Sequence, residues 1–148
     1  MIGRFETFTL ALSEITASWN KIAADEMKRF DLKGGYVVYL IALYKAPEGL
    51  TAKDLCDICS KDKAEVSRAI CLMEKKEVVK RENITVNGYR AKITLTEKGK
   101  KFTKELRERV KLAVEKGGKG LTPGQREIFY EALSTISENL KEISKEGL

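Results

Sequence analysis

The feature that most constrains this 148-residue chain is a pair of helix-start signals eleven residues apart. At Thr51-Ala52-Lys53-Asp54 a hydroxyl is followed three residues on by a carboxylate, and Asp62 with Glu65 repeats the spacing. The first side chain of each pair can accept from the backbone N–H three residues ahead while the second reaches back, so each helix starts at a defined residue. The first has room for only about two turns before Ser60-Lys61, with Leu55, Ile58 and Cys59 expected inward. In the second, Val66, Ala69, Ile70 and Met73 share one face at helical spacing and form its expected buried side. Two short capped helices joined by a tight turn predict a helix-turn-helix.

With the buried side set, a period of about 3.6 residues sets the opposite face of the second helix. It carries Ser60, Lys61, Ala64, Ser67, Arg68, Cys71 and Lys75, small near its start and basic along its length, whereas Asp62, Glu65 and Glu74 are expected off it. Such a face suits a DNA major groove, where small side chains permit close approach and Arg reaches guanine bidentately. The alternative is a solvated helix surface, which more often mixes its signs. After Glu77 the pattern turns to strands, Val78 to Val86 and Tyr89 to Thr96, around Asn87-Gly88, whose two positions suit the positive φ of a tight hairpin turn. The ribbon bears Lys80, Arg81, Arg90 and Lys92. A basic hairpin directly after a helix-turn-helix reads as a wing that reaches the backbone or a minor groove, with a plain edge hairpin as the alternative.

Long helices flank this centre. Phe5, Phe8, Leu12, Ile15, Trp19 and Ile22 recur at spacings of three and four, as do Phe129, Leu133, Ile136, Leu140 and Ile143. These are heptad stripes, suited to packing lengthwise against another helix or another subunit, or into the chain's own core. Lys33-Gly34-Gly35 interrupts the first pattern, and Tyr36 to Tyr44 is apolar on all sides. Its β-branched residues leave a strand open, while its length and flanking helices favour a short buried helix. Glu97 to Lys116 is a helix with Phe102, Leu106, Val110 and Ala113 inward, and Thr122, Pro123 and Gln125 start the last one. The expected class is mainly α with a small β-hairpin.

Charge and composition narrow the function. From Ser60 to Gly120 there are 18 Lys or Arg against 9 Asp or Glu, a balance of +9, while the remainder holds 10 against 13. The net +6 is therefore a basic centre between acidic arms, the electrostatic footprint of a polyanion partner or else of a Lys-rich solvated surface. The chain contains no histidine, which removes Ser-His-Asp and Cys-His catalysis and His-ligated zinc. No nucleophile with its base, no phosphate loop and no metal cluster can be assembled, so no enzyme, cofactor or metal is expected. The longest apolar run is nine residues against roughly 18 to 20 for a membrane span. No signal peptide is readable, and three cysteines without framework spacing fit a reducing, cytoplasmic location.

The order of elements and the stretch from Gly49 to Lys101 resemble the MarR family of bacterial and archaeal transcription regulators. Carrying the resemblance are Gly49-Leu50-Thr51 with Asp54-Leu55, Val66-Ser67-Arg68 with Leu72-Met73-Glu74-Lys75-Lys76, and Ile93-Thr94-Leu95-Thr96-Glu97-Lys98-Gly99, a Leu-Thr-x-x-Gly return from the wing. The chain departs from the family at Glu77, where Gly usually follows the paired lysines, and at Gly88-Tyr89-Arg90, where Asp-x-Arg is usual. The resemblance implies one domain over 1–148, with a winged helix-turn-helix lobe at 33–101 and dimerisation helices at 1–30 and 102–148. It implies a homodimer, with Phe5, Phe8, Leu12, Phe129, Leu133, Ile136 and Leu140 at its interface, that represses by binding a double-stranded pseudo-palindrome. Its recognition helices would then lie about 34 Å apart. Ser67 and Arg68 become the leading base or backbone contacts, Lys61, Lys63 and Lys75 phosphate contacts, and Arg90 the wing contact, beside Ser60, Ala64 and Lys92 on the same surfaces.

The family also binds small aromatic or phenolic effectors. Trp19, Phe30, Tyr36, Tyr39 and Tyr44 are the aromatic candidates for such a pocket, with Arg29 or Lys33 to meet an anion; ordinary core packing is the alternative for each. Cys56 and Cys59 have CxxC spacing without a second ligand pair and are expected to pack. Cys71, on the groove side beside Arg68 and Lys75, has the surroundings of a redox-sensing thiol. A winged-helix module whose groove face binds protein is the competing class.

Overall fold

Among the described residues, 3–82 and 91–148, the chain runs α1 (Arg4–Met27), α2 (Val37–Tyr44), α3 (Ala52–Cys59), α4 (Lys63–Lys75), β1 (Val79–Glu82), β2 (Lys92–Leu95), α5 (Glu97–Gly117) and α6 (Pro123–Glu146) in a computed structural model. Three-residue 3-10 turns at Lys28–Phe30 and Gly34–Tyr36 join α1 to α2. The architecture is a mainly helical winged helix-turn-helix with one antiparallel strand pair. Two compact units are present, Met1–Arg109 and Val110–Leu148.

Both capping boxes of the helix-turn-helix form. Thr51 Oγ1 accepts from the Asp54 N–H at 3.1 Å and the Asp54 carboxylate from the Thr51 N–H at 2.9 Å. Asp62 Oδ1 accepts from the Glu65 N–H at 2.8 Å and Glu65 Oε2 from the Asp62 N–H at 3.2 Å. Between the two helices Ser60 takes φ 53°, which lets the Lys61 N–H reach the Cys56 carbonyl at 3.1 Å and closes the turn.

The core of the first unit lies where these helices meet α2, the strands and the start of α5. Leu40, Leu43, Leu55, Val66, Ala69, Ile70, Met73, Val78, Ile93 and Leu106 are all buried. The expected inward face of α4 is therefore the observed one. For α3 the expectation needs correction, because Ile58 is 57% exposed. The buried arc of this short helix runs from Leu55 to the half-buried Cys59, four residues on, and Ile58 lies about 60° round the other way.

β1 pairs with β2 from Val79 opposite Leu95 to Glu82 opposite Lys92, and Leu50 adds a bridge to Ile93 through bonds of 3.0 and 2.7 Å. The predicted Asn87-Gly88 turn and Arg90 lie outside the described residues. The 3-10 turn before α2 sits directly on α1, since a Cβ on Gly34 would come within 2.7 Å of the Ala24 nitrogen.

The heptad stripes stay uncovered. In α1, Phe5, Phe8, Leu12, Ile15, Trp19 and Ile22 are all exposed, and Met27 is the helix's only buried residue. In α6, Phe129, Leu133, Ile136, Leu140 and Ile143 are exposed and no residue is buried. None of these stripe residues is buried. Among the described residues no helix is long and apolar enough to cross a membrane.

Candidate nucleic-acid interface

Helix α4 is anchored on one side only, and this defines the open face. Val66, Ala69, Ile70 and Met73 pack inward, leaving Lys63, Ala64, Ser67, Arg68, Cys71 and Lys75 exposed, with Ser60 exposed in the preceding turn and Lys61 half-buried there. The sequence-derived residues of the helix-turn-helix thus share one surface.

The carboxylates of α4 are engaged. Glu74 Oε1 accepts from Arg81 Nε of β1 at 2.7 Å, which orients Arg81 toward α4. Glu65 serves the cap, yet it also lines a recess of about 240 Å³ with Lys61 and Arg68. It is therefore nearer the basic face than the helical period indicated. Lys33, Gly35, Tyr36 and Tyr39 complete the recess. Lys33, expected as an anion partner for an effector, lies here beside residues far from it in the chain, and no local signal marks that.

On the wing, Lys80 pairs with Glu82 at 3.4 Å. Lys92 is half-buried opposite Glu82, and its charge helps to lower the Asp54 pKa. The larger causes of that shift are the Thr51 backbone N–H and then the Thr51 hydroxyl.

Of the aromatic and cationic candidates for an effector pocket, Lys33, Tyr36 and Tyr39 share the recess beside α4, and the others lie elsewhere. Phe30 stacks on Phe102 at 4.1 Å between centroids. Arg29 lies over the Phe30 ring and pairs with Glu26 and Glu105 at 3.6 and 3.9 Å. Tyr44 has the Arg107 guanidinium 4.4 Å above its ring and lines an open groove of about 510 Å³ with Leu43, Pro47, Leu95 and lysines of α5. Tyr36 and Tyr39 pack at 5.9 Å in the recess beside α4, and burial pushes the Tyr39 phenol up to about 12. Trp19 remains on the exposed stripe of α1.

The thiols are free, Cys56 and Cys59 half-buried and Cys71 exposed. Burial pushes the Cys59 thiol up, partly opposed by the charge of Lys61. Among the described residues no cluster of His, Cys, Asp or Glu could hold a metal ion.

No protein-family model matches the chain. It is 27% identical over 127 residues to YybA of Bacillus subtilis, an uncharacterised HTH-type transcriptional regulator, covering 86% of this chain and 84% of that protein. Among solved structures, it is similar to a Listeria monocytogenes regulator assigned to the MarR family and crystallised with a 26-mer DNA. There the TM-score is 0.86 at 23% identity, over 94% of each chain. A MarR regulator from Methanosarcina mazei gives a TM-score of 0.85 at 22% identity, over 97% of this chain and 94% of that one. S. aureus MepR in its DNA-binding conformation gives 0.81 at 20% identity, over 90% and 98%.

Proposed function

We propose that this chain, which has the fold of the MarR-family regulators, is a sequence-specific double-stranded DNA-binding transcriptional regulator, acting as a homodimer that represses from a pseudo-palindromic site. The observation that carries the reading is the open face of α4. Ala64 and Ser67 leave room for close approach, and Arg68 and Lys75 stand exposed beyond them. The Glu74 carboxylate on the same helix is held by Arg81. A helix packed on one side and basic on the other is shaped for a major groove, where Arg68 can meet a guanine edge. Lys63 and Lys75 meet phosphates at either end, and the base of the wing follows α4 directly. The uncovered stripes of α1 and α6 support pairing with a second copy, since amphipathic helices with no cover in their own chain bury their apolar face elsewhere.

Selection of bound sequences from a random duplex pool tests this reading. Two inverted half-sites centred about one helical turn apart are expected. On the selected duplex, Arg68→Ala should weaken binding by about 1 to 3 kcal/mol and relax the preference at one base pair per half-site. A pool with no enriched sequence, together with no salt-dependent duplex binding, overturns the reading and gives the α4 face to a protein partner.

A further inference from the structure

Two segments distant in sequence converge on the recess beside α4: the turn before α2 supplies Lys33, and the turn into α4 together with α4 itself supplies Lys61 and Arg68. Its remaining wall is Gly35, Tyr36, Tyr39 and Glu65. The balance is three cations to one carboxylate, and an oxygen of that carboxylate already accepts the Asp62 N–H at 3.2 Å. Lys33 and Arg68 form no ion pair among the described residues. Tyr39 brings no charge to the wall, because its phenol is buried and neutral. A recess of this composition favours an anion small enough to enter it and fixed enough to repay ordering two lysines. The position selects which anion. A recognition helix enters the groove by its N-terminal residues, so the turn just before it, with Lys61, passes over the sugar-phosphate edge.

We propose that this recess seats a backbone phosphate of the bound duplex, and that Lys33, outside the helix-turn-helix, is its anchor. The inference rests on the DNA-binding reading above and adds a contact that the helix-turn-helix alone does not contain. A phosphate seat positions the protein without reading sequence, so its loss acts equally on every duplex.

The test is fluorescence anisotropy on a duplex lacking any selected site, over a salt series, with wild type, Lys33→Ala, Lys33→Arg and Lys119→Ala. Lys119 lies in a turn of the second unit and controls for the loss of one positive charge. Lys33→Ala is expected to flatten the slope of log affinity against log salt by about 0.9, so that it loses about 3-fold less affinity than wild type between about 50 and 200 mM salt. Lys33→Arg should keep the wild-type slope, and on a selected site Lys33→Ala should leave the base preferences unchanged. If Lys33→Ala and Lys119→Ala give the same slope while wild type binds, the seat does not exist and the DNA-binding reading stands. If wild type binds no duplex, both readings fall together.

Discussion

Thr96 and Gly99 hold the junction where the end of α4, β1 and the start of α5 meet. Thr96 Oγ1 lies 2.7 Å from the Glu77 carbonyl oxygen and 3.1 Å from that of Val78, and it accepts from the Gly99 N–H at 3.0 Å. Gly99 is required for the approach itself, because a Cβ there would stand 2.1 Å from the Val78 carbonyl oxygen. Gly99→Ala should therefore destabilise by about 2 to 3 kcal/mol in urea melts, the range for overpacking against backbone; a loss under about 0.5 kcal/mol would show that the junction can relax. The same junction explains Glu77. Its N–H reaches the Glu74 carbonyl at 2.9 Å and the Val78 N–H reaches the Met73 carbonyl at 3.0 Å, a helix ending that needs a left-handed residue between them. Glu77 meets that need at φ 60°. Left-handed backbone costs a non-glycine residue about 1 to 2 kcal/mol, partly offset by the freer unfolded chain of glycine. Glu77→Gly should raise stability by about 0.5 to 1 kcal/mol with DNA affinity unchanged, and a lowered melting temperature would refute this. The sequence marked Gly99 and Glu77 as notable positions, but only the folded junction shows that one glycine is forced by contact and the other's absence is tolerated at a cost.

The capped helices were legible because their signals are local: each cap closes within four residues, so Thr51 with Asp54 and Asp62 with Glu65 needed no tertiary information. Stripe assignment worked for α4, whose four buried residues cover nearly two turns, and failed at Ile58 in α3, where a two-turn helix offers too few residues to fix the direction of burial. Where the aromatic candidates end up is set by distant packing, which brings Phe30 to Phe102 and Tyr44 to Arg107, while Tyr36 and Tyr39 share the recess beside α4. Basic character was readable residue by residue, but the convergence of Lys33 with Lys61 and Arg68 was not. The α3 cap also carries a pH dependence. Hydrogen bonds from Thr51 hold the Asp54 carboxyl below its ordinary 3.8, with the charges of Lys92 and Lys53 adding to the effect. A depressed folded-state value means that the cap's contribution is full above about 3.8 and is lost as pH falls through the lower folded value. Asp54→Ala should thus be less stable than wild type at pH 7 by about 0.5 kcal/mol, the low end for a cap. The difference should narrow in acid, as pH falls below 3.8 and through the folded value. Urea melts at pH 7 and in acid check it, and a gap that persists in acid would mean that packing, not the charged cap, is what the substitution removes.

At the scale of the whole molecule, charge and apolar stripes are segregated along the chain. The basic excess of +9 falls within Ser60 to Gly120, while the uncovered apolar stripes belong to α1 and α6, toward the two chain ends. A lone chain would expose Phe5, Phe8, Leu12 and Ile15 on one helix and Phe129, Leu133, Ile136 and Leu140 on the other, as stripes and not as scattered single residues. In the proposed homodimer a second copy would cover such stripes and in the same step set two basic lobes on one duplex. Charge placed on the stripes should separate these roles. Leu12→Asp combined with Leu133→Asp should shift elution in gel filtration from twice the chain mass toward 16.7 kDa. Neither residue is buried in its own chain, so circular dichroism should stay helical, and a variant that unfolds instead would place these stripes in the subunit's own stability. Affinity for a two-half-site duplex should fall by about 100-fold or more, because each lobe then binds without the effective concentration supplied by its twin. Affinity for a single half-site should change little. A variant that remains dimeric would place the subunit contact elsewhere, whereas a monomer with undiminished affinity for the full site would show that one lobe suffices to hold the duplex.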